Sequence, residues 1–150
     1  MGKIYVPITA STEAKRAITR SLSYAKEFHL EVDAIYVVDR DMIAKLERYK
    51  IFLEEESEHF SESLKQNVEK YLSYAKKQGE KLGVVVNEVL LEGDTYDKIV
   101  EYISQDQETI KVVCIAKKSG GEYMKDIFSD IERKILLFAQ FDMLVVGEEI

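Results

Sequence analysis

The sequence predicts an α/β fold, a three-layer sandwich in which a five-stranded parallel sheet carries helices on both faces. Five short apolar runs rich in β-branched residues alternate with longer stretches whose apolar residues recur every three or four positions. This alternation from end to end is typical of parallel strands joined by right-handed helical crossovers. Because no linker or low-complexity segment interrupts the pattern, we expect residues 1–150 to form a single domain.

The first two strands and the helix between them are predicted within residues 4–38. Ile4–Ile8 is predicted to be a strand with Pro7 near its end, since a proline inside a central strand loses a ladder hydrogen bond. Ser11 or Thr12 is expected to cap the helix that follows. Val32–Val38 is nearly continuous in apolar residues, as in strands buried on both faces. The helix between them is expected to bury one face, made of Ala14, Ala17, Ile18, Leu22, Ala25 and Phe28.

Residues 40–83 form the largest segment and have no strand signal. The helical spacing thins at the acidic run Glu54–Glu58, which is expected to be a solvated face or a turn. Two helices and one long bent helix are therefore both open, and Gly83 is expected to end the segment as a C-terminal cap. The apolar stripe of the segment consists of Met42, Leu46, Tyr49, Leu53, Phe60, Leu64, Val68, Tyr71, Ala75 and Leu82.

The remaining strands are predicted at Val84–Leu91, Ile110–Ala116 and Met143–Val146. Gly93–Thr95 is expected to turn the chain and cap a short helix. The residues of this helix that are expected to face inward are Ile99, Val100 and Ile103.

The last helix carries a capping-box pattern at Ser129–Glu132, although a start one turn earlier at Asp126 is also open. Its predicted apolar stripe consists of Phe128, Ile131, Ile135, Phe138 and Ala139.

Composition excludes several classes of function. The net charge of −7 argues against general affinity for nucleic acid, which needs a basic field. No apolar run approaches the roughly 20 residues that span a bilayer, and no signal peptide is evident, so we expect a cytoplasmic protein without a membrane anchor. The single cysteine, Cys114, is expected to be a buried hydrophobe. His29 and His59 have no metal-ligand spacing around them, so no metal site is predicted.

With these elements in place, the chain resembles the universal stress protein family of the UspA type over essentially its whole length. The resemblance rests on Lys3–Thr9 followed by Ser11, on Val37–Asp39, on Leu91–Asp94 and on the stretch Ala116–Val146. It implies the adenine nucleotide alpha hydrolase-like fold with strand order 3-2-1-4-5, and usually a homodimer.

In ATP-binding members of that family, the loop after the fourth strand contains Gly, two residues, Gly, nine residues, and then Gly followed by Ser or Thr. The matching positions here carry Ala116, Ser119, Ser129 and Asp130, with the spacing intact. A family acidic residue just past the first strand corresponds to Thr9. Added side chains hinder close approach of the backbone to phosphate, and a carboxylate repels it. The sequence therefore predicts a degenerate motif that does not bind ATP in the usual mode.

Lys117 or Lys118, with Gly120–Gly121, could form a rewired anion site in this loop, and a merely solvated loop is the alternative. A divalent cation near Asp39, Asp41 and Asp94 is conceivable, although turn and cap roles explain these residues. If a ligand does bind the cleft, the candidate contacts are Pro7, Thr9, Val38, Ala116, Lys117, Lys118, Ser119, Ser129 and Asp130.

No catalytic residue and no cofactor are predicted. We expect a non-enzymatic stress-response or regulatory protein that acts through unknown protein partners, with residues 40–83 as the part most specific to them. The alternative is an ATP- or AMP-binding switch with slow or no hydrolysis. An adenylyl-transfer or pyrophosphatase-like enzyme lacks supporting motifs. The last strand is expected to lie at an open sheet edge and to pair with a second copy through residues 142–148, centred on Met143, Leu144, Val145 and Val146.

Overall fold

The structure is a computed structural model and describes residues 1–9, 13–39, 54–118, 123 and 128–147, with side chains of the long helix described from residue 65. Within these residues it contains five strands and four helices. In chain order they are β1 (Gly2–Pro7), α1 (Ala14–Phe28), β2 (Glu31–Val38), α2 (Glu54–Leu82), β3 (Val86–Glu92), α3 (Thr95–Gln105), β4 (Ile110–Ala116), α4 (Asp130–Phe138) and β5 (Asp142–Val146).

The five strands form one parallel sheet in the order β3-β2-β1-β4-β5, which confirms the predicted topology. β1 is central, with Tyr5 level with Asp33 of β2 and with Val113 of β4. Pro7 is the last residue of β1, where its missing N–H does least harm to the ladder. β3 and β5 are the two edges.

Each face of the sheet has its own apolar core, because successive strand side chains point to opposite faces. One core joins α1 and α2 to the sheet residues Ile4, Val6, Val32 and Cys114. The other joins α3 and α4 to Tyr5, Ile35, Val37 and Val113. Layers of helix on both faces are the architecture that the sequence predicts.

Glu54–Glu58 lies in helical conformation at the start of α2, so the turn considered for that run is wrong. The choice between one helix and two over residues 40–83 involves residues 40–53, which lie outside the described residues. The 29 residues of α2 extend for roughly 43 Å, against about 23 Å for a strand of seven residues. Gly83 ends it at φ +71°, as predicted. The Val84 amide donates to the Gly79 carbonyl at 2.8 Å, which closes the helix C-terminus.

Some local predictions need correction, and others fall outside the described residues. β3 begins at Val86 rather than Val84, because the Val84 amide is bonded within the helix cap. Phe28 and Phe138 are exposed rather than part of the core, since each lies in the last turn of its helix. Helical geometry in α1 is already present at Glu13, whose side chain makes no cap bond. The residues outside are Ser11, Thr12, the stripe from Met42 to Leu53, and Asp126, while the side chains of Phe60 and Leu64 are also not described.

Candidate functional site

The candidate ligand cleft lies at the carboxyl ends of β1 and β4. Helices α1 and α2 cover one face of the sheet, and α3 and α4 cover the other. The chain therefore leaves the adjacent strands β1 and β4 toward opposite faces of the sheet. Open α/β sheets bind ligands at such a switch point. Pro7 and Ala116 are buried at the two strand ends, Thr9 is half-buried, and Lys117 is exposed.

The other predicted contacts are only partly brought together. Val38 ends β2, the neighbour of β1, and its carbonyl accepts the Gly93 amide at 3.0 Å. Lys118 is half-buried next to Lys117, and Ser129 and Asp130 lie at the start of α4. Ser119 and Gly120–Gly121 lie outside the described residues, as does Asp41.

The N-terminus of α4 is occupied by side chains of the helix itself. Ser129 Oγ accepts the Glu132 amide at 3.3 Å, and the Ser129 amide donates to Glu132 Oε1 at 2.9 Å. This completes the predicted capping box. Glu132 is a buried residue, with only 6% of its surface exposed. An internal carboxylate therefore sits at the helix end where α/β proteins place a phosphate.

The negative charge of Asp130 has a weaker influence on the cleft than the sequence alone predicts. Its carboxylate is 89% exposed and forms an ion pair with Arg133, one turn along α4. Solvent and Arg133 both weaken the field of this charge. The buried Glu132 is the stronger negative charge at this end of α4.

Backbone groups at the end of β4 are also engaged. The Lys117 amide donates to the Val146 carbonyl at 3.1 Å, which extends the ladder toward β5. The Arg16 guanidinium of α1 donates to the Lys117 carbonyl. Arg16 thus brings a cation to the mouth of the cleft, a residue that the sequence analysis did not connect with the site.

Metal coordination has no support in the part of the chain that the structure describes. Within it, no group of three or more His, Cys, Asp or Glu residues is arranged to hold an ion. Asp94 has a local role, because its carboxylate accepts the Asp97 amide at 2.9 Å and caps α3 as predicted.

A buried polar cluster at the amino ends of the strands was missed from the sequence. Asp33 of β2 has no exposed surface, and its carboxylate accepts Lys3 Nζ at 3.3 Å, Tyr102 OH at 2.7 Å and Asn87 Nδ2 at 2.8 Å. Asp106, just after α3, accepts the same Lys3 ammonium at 3.2 Å. Tyr5 OH also donates to Asp106 at 2.7 Å.

These contacts move the pKa values of the cluster in directions that favour its present charge state. The hydrogen bond from Tyr5 lowers the pKa of Asp106. Burial alone would lower the pKa of Lys3, but its bonds to Asp106 and Asp33 outweigh this, and the pKa is raised. Burial, together with the neighbouring carboxylates, raises the pKa of Tyr5 and of Tyr102. The cluster therefore holds one cation against two anions, fully hydrogen-bonded.

One signal could have found this cluster. Asp33 interrupts the apolar run Val32–Val38, and a carboxylate inside a buried strand is costly unless it is paired. Lys3 and Tyr5 alternate with apolar residues on the adjacent strand, so both face the same side of the sheet. The six residues span 103 positions of the chain, however, and only the topology joins them.

Cys114 is buried, as predicted, with its thiol 3.6 Å from the Ala17 carbonyl. Burial raises its pKa to about 12, so the thiolate form is scarce near neutral pH. Among the described residues, no helix has both the length and the apolarity needed to cross a membrane.

Comparison with known proteins decides the family. A family model described as the universal stress protein family matches residues 1–147. The chain belongs to this family. A universal stress protein of Methanocaldococcus jannaschii is 31% identical over 144 residues, which cover 96% of this chain and 81% of that protein.

Solved universal stress proteins share the fold. The UspA protein of Lactobacillus plantarum aligns with a TM-score of 0.66 and 16% identity, covering 97% of each chain. A universal stress protein family member from Arabidopsis thaliana with AMP bound aligns with a TM-score of 0.64 and 15% identity, covering 99% of this chain and 93% of that one. At these identities the likeness establishes the adenine nucleotide alpha hydrolase-like fold.

Proposed function

We propose that this universal stress protein is a non-enzymatic, cytoplasmic homodimer that acts through contacts with other proteins and does not bind ATP through the loop after β4. The observation that supports this most directly is the Glu132 carboxylate at the N-terminus of α4, where it accepts the Ser129 amide at 2.9 Å. A phosphate bound there in the usual way needs that amide and meets that charge.

The Glu132 carboxylate opposes phosphate binding at this helix end through electrostatic repulsion. Two unit charges 4 Å apart repel by about 1 kcal/mol in water and by about 4 kcal/mol at the effective dielectric of a protein surface. Because Glu132 is buried, its repulsion of a phosphate is closer to the larger of these two energies. The Lys117 amide is bonded to the Val146 carbonyl, which removes a further backbone donor from the cleft. The buried Ala116 adds a Cβ that hinders close approach to the backbone at the end of β4.

The two sheet edges differ in a way that favours β5 as the dimer contact. On β3, the exposed face carries Glu88 and Glu92 on either side of the exposed Leu90, and charged side chains on an edge oppose pairing with another chain. β5 presents Met143–Val146, an uncharged apolar run. Antiparallel pairing of two β5 strands about a twofold axis would cover this edge in both copies.

Titration calorimetry tests the nucleotide part of the proposal. We expect no saturable heat with ATP, ADP or AMP at about 1 mM, a concentration that detects even weak binding. The matched variant Glu132→Gln keeps an acceptor for the Ser129 amide but removes the charge. We expect it to bind ATP more tightly than the natural protein does, whereas micromolar binding by the natural protein would overturn the proposal.

Sedimentation of Val145→Lys tests the dimer. A lysine at the centre of β5 should shift the protein to monomer, because burying two ammonium groups at the twofold axis is unfavourable. Val85→Lys, a change at the exposed end of the opposite edge, serves as the control and should leave the assembly unchanged. An unaltered sedimentation coefficient for Val145→Lys would exclude this interface.

A nucleotide-binding switch is the second candidate. It is favoured by the fold shared with the AMP-bound Arabidopsis protein and by the position of Arg16, whose guanidinium donates to the Lys117 carbonyl at the cleft mouth. A cation there could offset the charge of Glu132 and hold a phosphate by side chains. Mass spectrometry of freshly purified protein would favour this candidate if it detects bound ATP or AMP.

A further inference from the structure

The layer built from α1 and the C-terminal part of α2 has the opposite charge to the rest of the chain. Nine basic and three acidic residues lie on α1 and on residues 65–82 of α2, a net charge of +6. The whole chain carries −7, so the remaining residues carry −13. Protein surfaces usually intersperse both signs. A segregated field of this size is a feature of the surface that binding partners encounter.

Six exposed cations of this layer have no carboxylate partner among the residues that the structure describes. Three other cations of the layer are engaged: Lys15 lies over the Tyr74 ring, Lys76 donates to the Val86 carbonyl, and Arg16 donates to Lys117. Among the ion pairs between described residues, none involves the other six. These six are Arg20, Lys26, Lys65, Lys70, Lys77 and Lys81, all of them exposed.

The two helices form one continuous surface. Thr19 of α1 and Tyr74 of α2 share a hydrogen bond of 2.7 Å between their hydroxyl groups, and Lys15 lies 5.0 Å from the centre of the same tyrosine ring. On α1, Tyr24 and Phe28 stack with ring centres 6.3 Å apart while remaining 40% and 63% exposed. Exposed aromatic rings are enriched at binding surfaces, and Arg20, one helical turn before Tyr24, lies on the same side of α1.

We propose that this surface, which we call the α1–α2 face, docks an acidic segment of a partner protein that also carries apolar side chains. The inference rests on the proposed function, since it names the chemistry of a protein partner. Carboxylates of the segment pair with the unpartnered cations, and its apolar side chains cover Tyr24 and Phe28. Charge complementarity of this kind steers association and fixes orientation.

The size of the occupant follows from the same charge distribution. Electrostatic fields in solution decay over about 8 Å at physiological salt. A short segment bound to the α1–α2 face therefore encounters mainly the net charge of +6 that this face carries. A nucleic acid duplex or an anionic bilayer is larger than the domain and also meets the described residues outside this face, which carry a net negative charge. A compact acidic segment therefore fits better than an extended polyanion.

A fluorescence-anisotropy titration tests the proposal with a labelled peptide of about 20 residues in which Glu and Leu alternate at helical spacing. A peptide with every Glu replaced by Gln is its control. We expect saturable binding of the acidic peptide that weakens as salt is raised. The double variant Lys70→Glu/Lys77→Glu should weaken binding about tenfold, a change of about 1.4 kcal/mol.

The matched control is Lys98→Glu/Lys134→Glu, which makes the same change in net charge on α3 and α4. We expect it to change peptide affinity less than about twofold. Phe28→Ser should weaken binding without altering the charge. Circular dichroism and thermal unfolding of each variant verify that it is folded.

Three outcomes would overturn the inference. They are the absence of saturable binding at about 1 mM protein, equal loss in the two charge-reversal variants, and tighter binding to a single-stranded oligonucleotide or to phosphatidylserine vesicles than to the peptide. Nucleotide titration of the same samples reports on the proposed function separately, so failure of one does not imply failure of the other.

Discussion

The ammonium group of Lys3 lies 3.3 Å from the carboxylate of Asp33, which has no exposed surface and stands on a strand next to the centre of the sheet. The same ammonium group reaches Asp106 at 3.2 Å, so a single side chain joins β1, β2 and the end of α3. Desolvating such charges is costly, and the cost is offset only when every partner is in place.

Lys3→Met should therefore lower the free energy of unfolding by about 3 kcal/mol, because two carboxylates lose their shared cation. Urea denaturation measures the change. Lys98→Met is the control, since the Lys98–Glu101 pair is 3.6 Å long and largely exposed. It should cost less than about 1 kcal/mol. Equal effects for the two variants would mean that the buried cluster adds nothing specific to stability.

Stability should fall in acid partly through Asp106. Its pKa is lowered below the ordinary value of 3.8, so its contribution is present above that value and is lost as the pH falls through the lower, folded-state pKa. Lys3 has a raised pKa, so its contribution is complete below the ordinary value of 10.5 and is lost only in strong alkali. Unfolding of Asp106→Asn measured between about pH 2 and pH 5 should show a shallower decline than the natural protein. Parallel curves would contradict this assignment.

Gly79 should resist substitution although it lies inside a helix. Alanine is usually preferred to glycine there by about 1 kcal/mol. A Cβ at Gly79, however, would stand 2.5 Å from Val86 Cγ2 and 2.9 Å from the Val84 carbonyl oxygen. Because one of these atoms is backbone, we expect Gly79→Ala to destabilise the protein by about 1–3 kcal/mol in thermal unfolding. Gly147→Ala is the control, since a Cβ there has no neighbour within 4 Å.

Ser129→Ala should cost about 1 kcal/mol, because the Glu132 amide loses its acceptor at the start of α4. Chemical denaturation measures the loss. Ser104→Ala, at an exposed position in α3, should change stability by less than about 0.5 kcal/mol. If the two serines behave alike, the capping box contributes nothing measurable.

Local patterns were sufficient for most of the fold. β4 lies at Ile110–Ala116 as predicted, and the caps at Gly83, Asp94 and Ser129 were recognised because each depends on residues within one helical turn. The exposed rings of Phe28 and Phe138 were misassigned for a related reason. Helical spacing identifies a face but does not tell whether the sheet extends far enough to cover the last turn.

The polar features of the site depended on distant residues. Lys3 and Asp106 are 103 positions apart, and Arg16 is 101 positions from Lys117, so their contacts follow from the sheet order and not from spacing. The role of Glu132 depends on residues that are close to it in the sequence. The capping-box pattern was visible in the sequence, but its consequence for phosphate binding required knowing that the carboxylate is buried.

The concealed thiol of Cys114 makes the natural sequence a convenient background for site-specific labelling. The chain has one cysteine, which is buried near the Ala17 carbonyl, and burial raises its pKa to about 12. Maleimide probes should therefore not react with it in the native state. A cysteine engineered at any exposed position then becomes the unique attachment point for a spin label or a dye. Distances across the proposed β5 pairing, or between a docked peptide and α1, become measurable without first removing the native sulfur.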